Sequence, residues 1–381
     1  MKKIGILIIL LFAILTSNAQ RHINFSYTLD LGEGYVLPTN TFVRGENVDN
    51  TNINNMGHIA FKLVNDVDGS KSWQNLYNDF RFGLGAFYGR FNYSKHLNNP
   101  FAFYGFAGFS PIKYKNFTFK NELALGIVGI FDCYGSDNQY NVAVSLPIET
   151  YFHLDFQGFW KLNNYFDFST SLAFIHFSNG AVLKPNKGIN TLSLELGLTY
   201  HPQRITKDNI LPQPIDSTEK SKQNWYINTF AGIHAVGFDY MKNDSYKKSV
   251  QKSYIVYGLQ GRYLRNLTEK YSIGAGLECL QNTAVGKTDS VYLVHPEKRD
   301  YDYIDKMSAG MFLSFQYNIS NLSVYLEPGH AFWQVHGYAS REYQRLGLKY
   351  NLTDYIVVQM ALRAYNFHVA DWIEWGIGIR L

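Results

Sequence analysis

Charge is scarce in this chain. Only 17% of its 381 residues are Asp, Glu, Lys or Arg, against the ~25% of an ordinary soluble domain. The formal charge is +4, and Lys2 and Lys3 of the N-terminal segment account for two of it, leaving +2. So weak a bias gives no argument for a polyanion as partner, and no nucleic acid is expected. Cysteine is rarer still: Cys133 and Cys279 are the whole set, and two thiols make no disulfide framework. Long apolar runs are also missing. Beyond the first sixteen residues none approaches the ~18 that a spanning helix needs, which excludes a helical membrane protein.

Aromatics take the place of charge, with 29 Tyr, 28 Phe and 6 Trp. Apolar residues recur at every second position, as in the strands of a membrane β-protein. Lys2 and Lys3, the apolar stretch Ile4 to Leu15 and the small-residue site Ser17-Asn18-Ala19 predict a signal peptide over 1–19. Alternation then predicts strands near 22–36, 56–65, 79–93, 100–113, 117–133, 142–160, 163–178 and 190–200. The stretch 202–224, rich in Pro, Lys, Gln, Asp and Ser, breaks the theme and reads as a linker or long periplasmic turn. Strands resume near 225–241, 252–264, 270–282, 307–318, 322–336, 341–350, 355–366 and 371–381.

The expected domains are therefore an eight-strand unit over 20–201 and a second over 225–381 that ends in a membrane strand. Part of the sequence repeats. Leu162, Asn164, Tyr165 and Leu172 align with Leu352, Asp354, Tyr355 and Leu362, and the run Leu194 to Leu198 reappears as Ile373 to Ile377. Parity assigns the faces: Leu192, Leu194, Leu196 and Leu198 form an apolar row, while Thr191, Ser193, Glu195 and Thr199 form a polar one. In 142–160 the apolar row is Val144, Leu146, Ile148, Phe152, Leu154 and Phe156. The fold class is all-β, a transmembrane antiparallel up-and-down β-barrel of about 16 strands in two eight-strand repeats. A single closed barrel is preferred to two tandem eight-stranded barrels, although inward glycines such as Gly197, Gly274, Gly276, Gly376 and Gly378 would suit narrow lumens.

One loop carries a candidate site. Leu172 and Phe174 lie on the lipid face of their strand, and a period of two continues that row through His176 and Ser178. An imidazole beside a hydroxyl can take its proton as the oxygen attacks an ester carbonyl. Asn179 and Gly180 follow, with amide and backbone donors suited to an oxyanion. An outward site lets a lipid present its ester without leaving the bilayer.

His176-Phe177-Ser178-Asn179, the Pro185-Asn186-x-Gly188-Ile189 loop and the eight-strand context resemble the PagL family of outer-membrane lipid A 3-O-deacylases. The resemblance covers roughly 22–200. It implies His176 as general base, Ser178 as nucleophile and Asn179 as an oxyanion contributor, with no cofactor and no metal. It also implies lipid A of lipopolysaccharide as partner, in the outer leaflet of a Gram-negative outer membrane. Where the family carries a glutamate that orients the histidine, this chain has Asn190, whose parity is right and whose carbonyl oxygen can do the orienting. No outward carboxylate stands on the strands beside His176.

Other polar residues have plainer readings. Glu122, Glu149, His153, Asp155, Glu195 and Arg81 are expected to form a lumenal network. His58, His96, His234, His330 and His336 have no metal-ligand spacing. Cys133 and Cys279 are expected on the lipid-facing parity, reduced and buried. The second unit has Asn366 and His368 at the offsets of His176 and Ser178, so that copy reads as scaffold. The expected activity is hydrolysis of an ester-linked acyl chain. The alternatives are a non-catalytic structural or transport barrel and a phospholipase-type esterase.

Overall fold

The computed structural model describes residues 25–204, except 68–71, 78 and 130, and residues 223–381, except 238–239, 243–244, 248–250, 286–300, 335–339 and 368. The expected signal peptide over 1–19, most of the linker and His368 lie outside the described residues.

The first unit contains β1 (Phe25–Val36), β2 (Asn55–Asp66), β3 (Arg81–Phe91), β4 (Phe101–Tyr114), β5 (Phe117–Gly129), β6 (Ile148–Lys161), β7 (Phe166–Ser178) and β8 (Ile189–Tyr200). The second contains β9 (Gln223–Gly237), β12 (Gln251–Asn266), β13 (Tyr271–Asn282), β14 (Met307–Ile319), β15 (Leu322–Gln334), β16 (Glu342–Asn351), β17 (Ile356–Tyr365) and β18 (Val369–Arg380). A small hairpin of β10 (Tyr240–Lys242) and β11 (Ser245–Lys247) lies between β9 and β12 in the chain. Every pairing is antiparallel between neighbours, and no described helix is long and apolar enough to cross a membrane.

The sixteen wall strands close as two barrels, and the expected single barrel is overturned. β1 pairs with β8, with Leu31 opposite Leu196, and β18 pairs with β9, with Ile377 opposite Thr229. Each unit thereby satisfies its own first and last edges. No open row of N–H and C=O groups remains to join the halves, and in a bilayer an open row would be costly.

Parity behaves as the sequence predicts. Leu192, Leu194, Leu196 and Leu198 are exposed on the outer wall, whereas Thr191, Ser193, Glu195 and Thr199 are buried inside. Eight strands leave a lumen that side chains fill. In the first barrel Lys62 Nζ lies 2.6 Å from Glu122 Oε1 and 3.0 Å from Asp30 Oδ2, and Arg81 reaches Glu122 Oε2 at 2.7 Å. The second barrel is held by Arg262 to Glu327 at 2.7 Å, Arg345 to Glu278 at 2.9 Å and Arg363 to Glu278 at 2.8 Å. The inward glycines admit these bulky neighbours: a Cβ on Gly276 would meet the Phe312 ring at 2.2 Å.

Two predicted strands are too long at their outer ends. β5 stops at Gly129 and β6 begins at Ile148, and the chain between them folds over the outer mouth. There Phe131, Ala143 and Val144 join Phe42, Val43, Ile53 and Leu97 in one buried apolar cluster. Val144 is thus not in the lipid-facing row. Cys133 is corrected in the same way: it packs against this cluster from a loop, whereas Cys279 is exposed on the outside of β13. Both thiols are free. The short turns, such as 115–116, 162–165 and 320–321, lie at one end of the barrels, and the long connections 37–54, 130–147 and 179–188 lie at the other.

Candidate active site

β7 carries the site to the long-loop end. Its Ile175 and Phe177 are completely buried in the core, so the intervening His176 and the following Ser178 face outward, each half-buried. Below them on the same row, Phe174 stacks parallel to the imidazole, with ring centroids 6.4 Å apart and 8° between planes. The expected outward projection of both side chains is what the strand period produces.

The loop 179–188 folds back over this row. Gly180 and Gly188 adopt the left-handed region, with φ of +63° and +68°. At Gly188 a Cβ would lie 3.0 Å from His176 Cε1, so only glycine lets the chain pass this close to the imidazole. The outer loop 37–54 buttresses the return, since Asn40 Nδ2 donates to the Gly188 carbonyl at 2.8 Å and the Leu37 N–H donates to the Asn190 carbonyl at 2.8 Å.

Asn190 lies directly across from His176 in the β7–β8 register, and its Oδ1 is 2.7 Å from His176 Nδ1. Its Nδ2 donates to Thr39 Oγ1 at 3.1 Å, which fixes the amide with its oxygen toward the ring. Nδ1–H is thereby the donor, and Nε2 is the ring nitrogen left with a lone pair. No direct hydrogen bond joins His176 to Ser178 among the described residues. Catalytic contacts are commonly loose before substrate arrives.

Ser178 Oγ accepts two hydrogen bonds, from Asn186 Nδ2 at 2.9 Å and from the Gly180 N–H at 3.2 Å. Both bonds engage lone pairs of the hydroxyl, so its proton is left for a base. Asn186 is the residue that sequence reasoning passed over. In the sequence it is only part of the Pro-Asn-x-Gly loop, and nothing in a two-residue period tells that the loop returns it to the serine.

The Asn179 side chain does something else. Its Nδ2 donates to Ser145 Oγ at 2.8 Å and to the Leu183 carbonyl at 3.1 Å, and the residue is buried. Beneath it Glu149 Oε1 accepts from the Ser145 N–H at 3.3 Å. The carboxamide therefore points into the barrel cap, away from the serine, and braces the loop. Gly180, by contrast, turns its N–H toward the serine, on Ser178 Oγ.

Inside the first barrel, His153, Asp155 and Glu195 bring possible metal-ligand atoms within 4.8 Å of one another. Glu195 Oε1 also takes His58 Nε2 at 2.9 Å, and Lys62 Nζ lies 4.0 Å from Asp155, so these groups belong to the lumenal charge network. They stand on the opposite face of the wall from Ser178.

Residues 59–199 match the family model described as lipid A 3-O-deacylase (PagL), and residues 223–381 match that of the acyloxyacyl hydrolase C-terminal domain. Among solved structures, the crystal structure of the outer membrane enzyme PagL is 15% identical over 45% of this chain and 97% of that one, with a TM-score of 0.30. The NanC porin is 8% identical over 92% of this chain and 98% of that one, with a TM-score of 0.16. No curated protein matches the chain.

Proposed function

Since the first barrel belongs to the PagL family of lipid A 3-O-deacylases and the second is an acyloxyacyl hydrolase C-terminal domain, we propose that this protein hydrolyses the 3-O-linked acyl chain of lipid A in the outer leaflet of a Gram-negative outer membrane. The observation that carries the reading is the state of Ser178. Its oxygen is held by two donors on the outer wall, and two residues away stands an imidazole whose Nδ1 is engaged.

The chemistry follows from these contacts. Ser178 Oγ attacks the ester carbonyl carbon as its proton passes to His176 Nε2. Asn186 Nδ2 and the Gly180 N–H, already within reach of Oγ, turn to the carbonyl oxygen as it gains negative charge. Collapse of the tetrahedral intermediate breaks the bond to the sugar oxygen, which leaves with the proton held by His176. Water then attacks the acyl-serine as His176 takes its proton; the acyl bond to Ser178 Oγ breaks, that oxygen recovers the proton from His176, and the free hydroxy acid departs. Asn190 orients the ring throughout but supplies no charge to offset the imidazolium, so turnover is expected to be slow.

The test is expression in a Gram-negative host, followed by mass spectrometry of its lipid A. Loss of one hydroxyacyl chain is expected, abolished by Ser178→Ala and by His176→Ala. Unchanged lipid A in cells containing the folded protein would overturn the proposal.

A further inference from the structure

The loop that bears the site does not face lipid alone. A Cβ built on Gly180 would lie 2.6 Å from Ile373 Cδ1, 2.8 Å from Ile373 Cγ1 and 3.6 Å from Leu362 Cδ1, all on the second barrel. Further along the loop, Lys184 lines a cavity with Glu342, Arg363 and Asp371 at that barrel's outer mouth. The barrels also touch at their inner ends. The Tyr77 hydroxyl donates to the Asn318 carbonyl, and the Tyr317 ring lies 5.8 Å from that of Tyr77 and 6.0 Å from that of Phe109.

Ile373 and Leu362 are cross-strand neighbours on the outer face of β17 and β18. Their counterparts in the internal repeat, Leu194 and Leu172, are likewise paired across β7 and β8. The first-barrel pair is 70% and 52% exposed. The second-barrel pair is half-buried, while Trp375 and Ile377 beside it remain exposed. One duplicated apolar pair thus faces lipid freely in the first barrel, and in the second it abuts the loop whose N–H holds the nucleophile.

We propose that the second barrel supplies one wall of the acyl-chain site, with Ile373 and Leu362 confining the hydrocarbon chain whose ester carbonyl meets Ser178. The facing wall is the row below the serine, Phe174 and Leu172 on β7. A chain descending from Ser178 runs between two apolar surfaces, and its length and branching are read by side chains from both barrels. This inference rests on the ester hydrolysis proposed above, and it adds a role for a domain that carries no copy of His176 or Ser178.

Two measurements test it on the full-length protein. The first compares kcat/KM for tetradecanoyl and butanoyl p-nitrophenyl esters. Ile373→Trp, which narrows the crevice, is expected to lower the long-to-short ratio by about tenfold, the scale of one misfitted apolar contact in a binding pocket. Ile373→Ala is expected to raise the ratio. An unaltered ratio in both folded variants overturns the proposal. The second uses Ser178→Ala with lipid A bearing a diazirine on its 3-O acyl chain. Photolabelling is expected in peptides containing Leu362 and Ile373 as well as in β7, and labelling confined to the first barrel overturns the wall. If the wild type cleaves no ester, the hydrolase reading fails, and the photolabel still decides whether the second barrel holds the chain.

Discussion

Replacing Asn190 by glutamate should make the protein a faster enzyme, because the amide orients His176 without answering the charge that the ring acquires. Asn190 Oδ1 sits 2.7 Å from His176 Nδ1, so a carboxylate there would place its charge about 4 Å from the imidazolium centre. At that separation the attraction is about 4 kcal/mol with an effective dielectric of 20, or up to about a thousandfold in rate. Half-exposure of the ring screens part of this, and the extra methylene of glutamate spends more on geometry. A gain of about 10- to 100-fold in kcat is expected, well inside the ~10⁴-fold that the reverse exchange costs a serine protease. The Thr39 hydroxyl, which now accepts from Asn190, can turn to donate to the new carboxylate. The assay is release of hydroxy fatty acid from lipid A in detergent micelles by purified protein. Asn190→Gln serves as the control that lengthens the side chain without charging it, and it should be no faster than wild type. A folded Asn190→Glu variant that gains nothing would refute the view that this site lacks only a countercharge.

The remaining predictions separate roles that the sequence alone runs together. Asn186→Ala should lower kcat by about 10²-fold with little change in KM, as expected for an oxyanion donor; a change confined to KM would contradict this. Asn179→Ala should instead weaken the loop, since it removes the amide's hydrogen bonds to Ser145 and Leu183 at about 1–3 kcal/mol, seen as a lower unfolding temperature in heat-modifiability gels. An undiminished transition with a selective loss of kcat would reverse the two assignments. Lys62→Met strands Asp30 in the lumen and leaves Glu122 to Arg81 alone, and should cost about 3–5 kcal/mol, measured by the same gels; an unchanged transition would show the network to be dispensable. Activity should fall on the acid side as His176 becomes protonated, because only the neutral ring can accept the serine proton; a profile flat through the histidine range would remove His176 as the base.

The outer wall was legible because a membrane strand shows its faces through a single variable, the alternation of apolar and polar residues. That is why the sequence alone puts Leu172, Phe174, His176 and Ser178 on one row. The ends of strands were less legible. Phe131 and Val144 have the apolar character of wall residues, yet they bury themselves in the cap over the mouth, and alternation cannot distinguish burial in a cap from exposure to lipid. Closure was the least legible, because it is decided by backbone hydrogen bonds between β1 and β8 and between β9 and β18. Those bonds leave no signature in side-chain pattern. The glycines were the one available clue: Gly276 gives its space to Phe312, which is what a lumen too narrow for two side chains at one level demands.

The site divides along the same line. His176, Ser178 and Asn190 stand on strands, so parity and register bring them together, and their association follows from counting residues. Asn179 and Asn186 stand on a loop, where three successive departures to positive φ, at Gly180, Ala181 and Gly188, set the course. Counting makes Asn179 the neighbour of the serine. The turn buries its side chain and delivers Asn186 instead. The same turn presses Gly180 against Ile373, so the backbone conformation that aims an N–H at the nucleophile also seats the loop on the second barrel. A residue with a side chain at position 180 would lose both at once, since a Cβ is strained at that φ and has no room beside Ile373. The second barrel is thereby a surface against which the loop bearing Ser178 takes its shape.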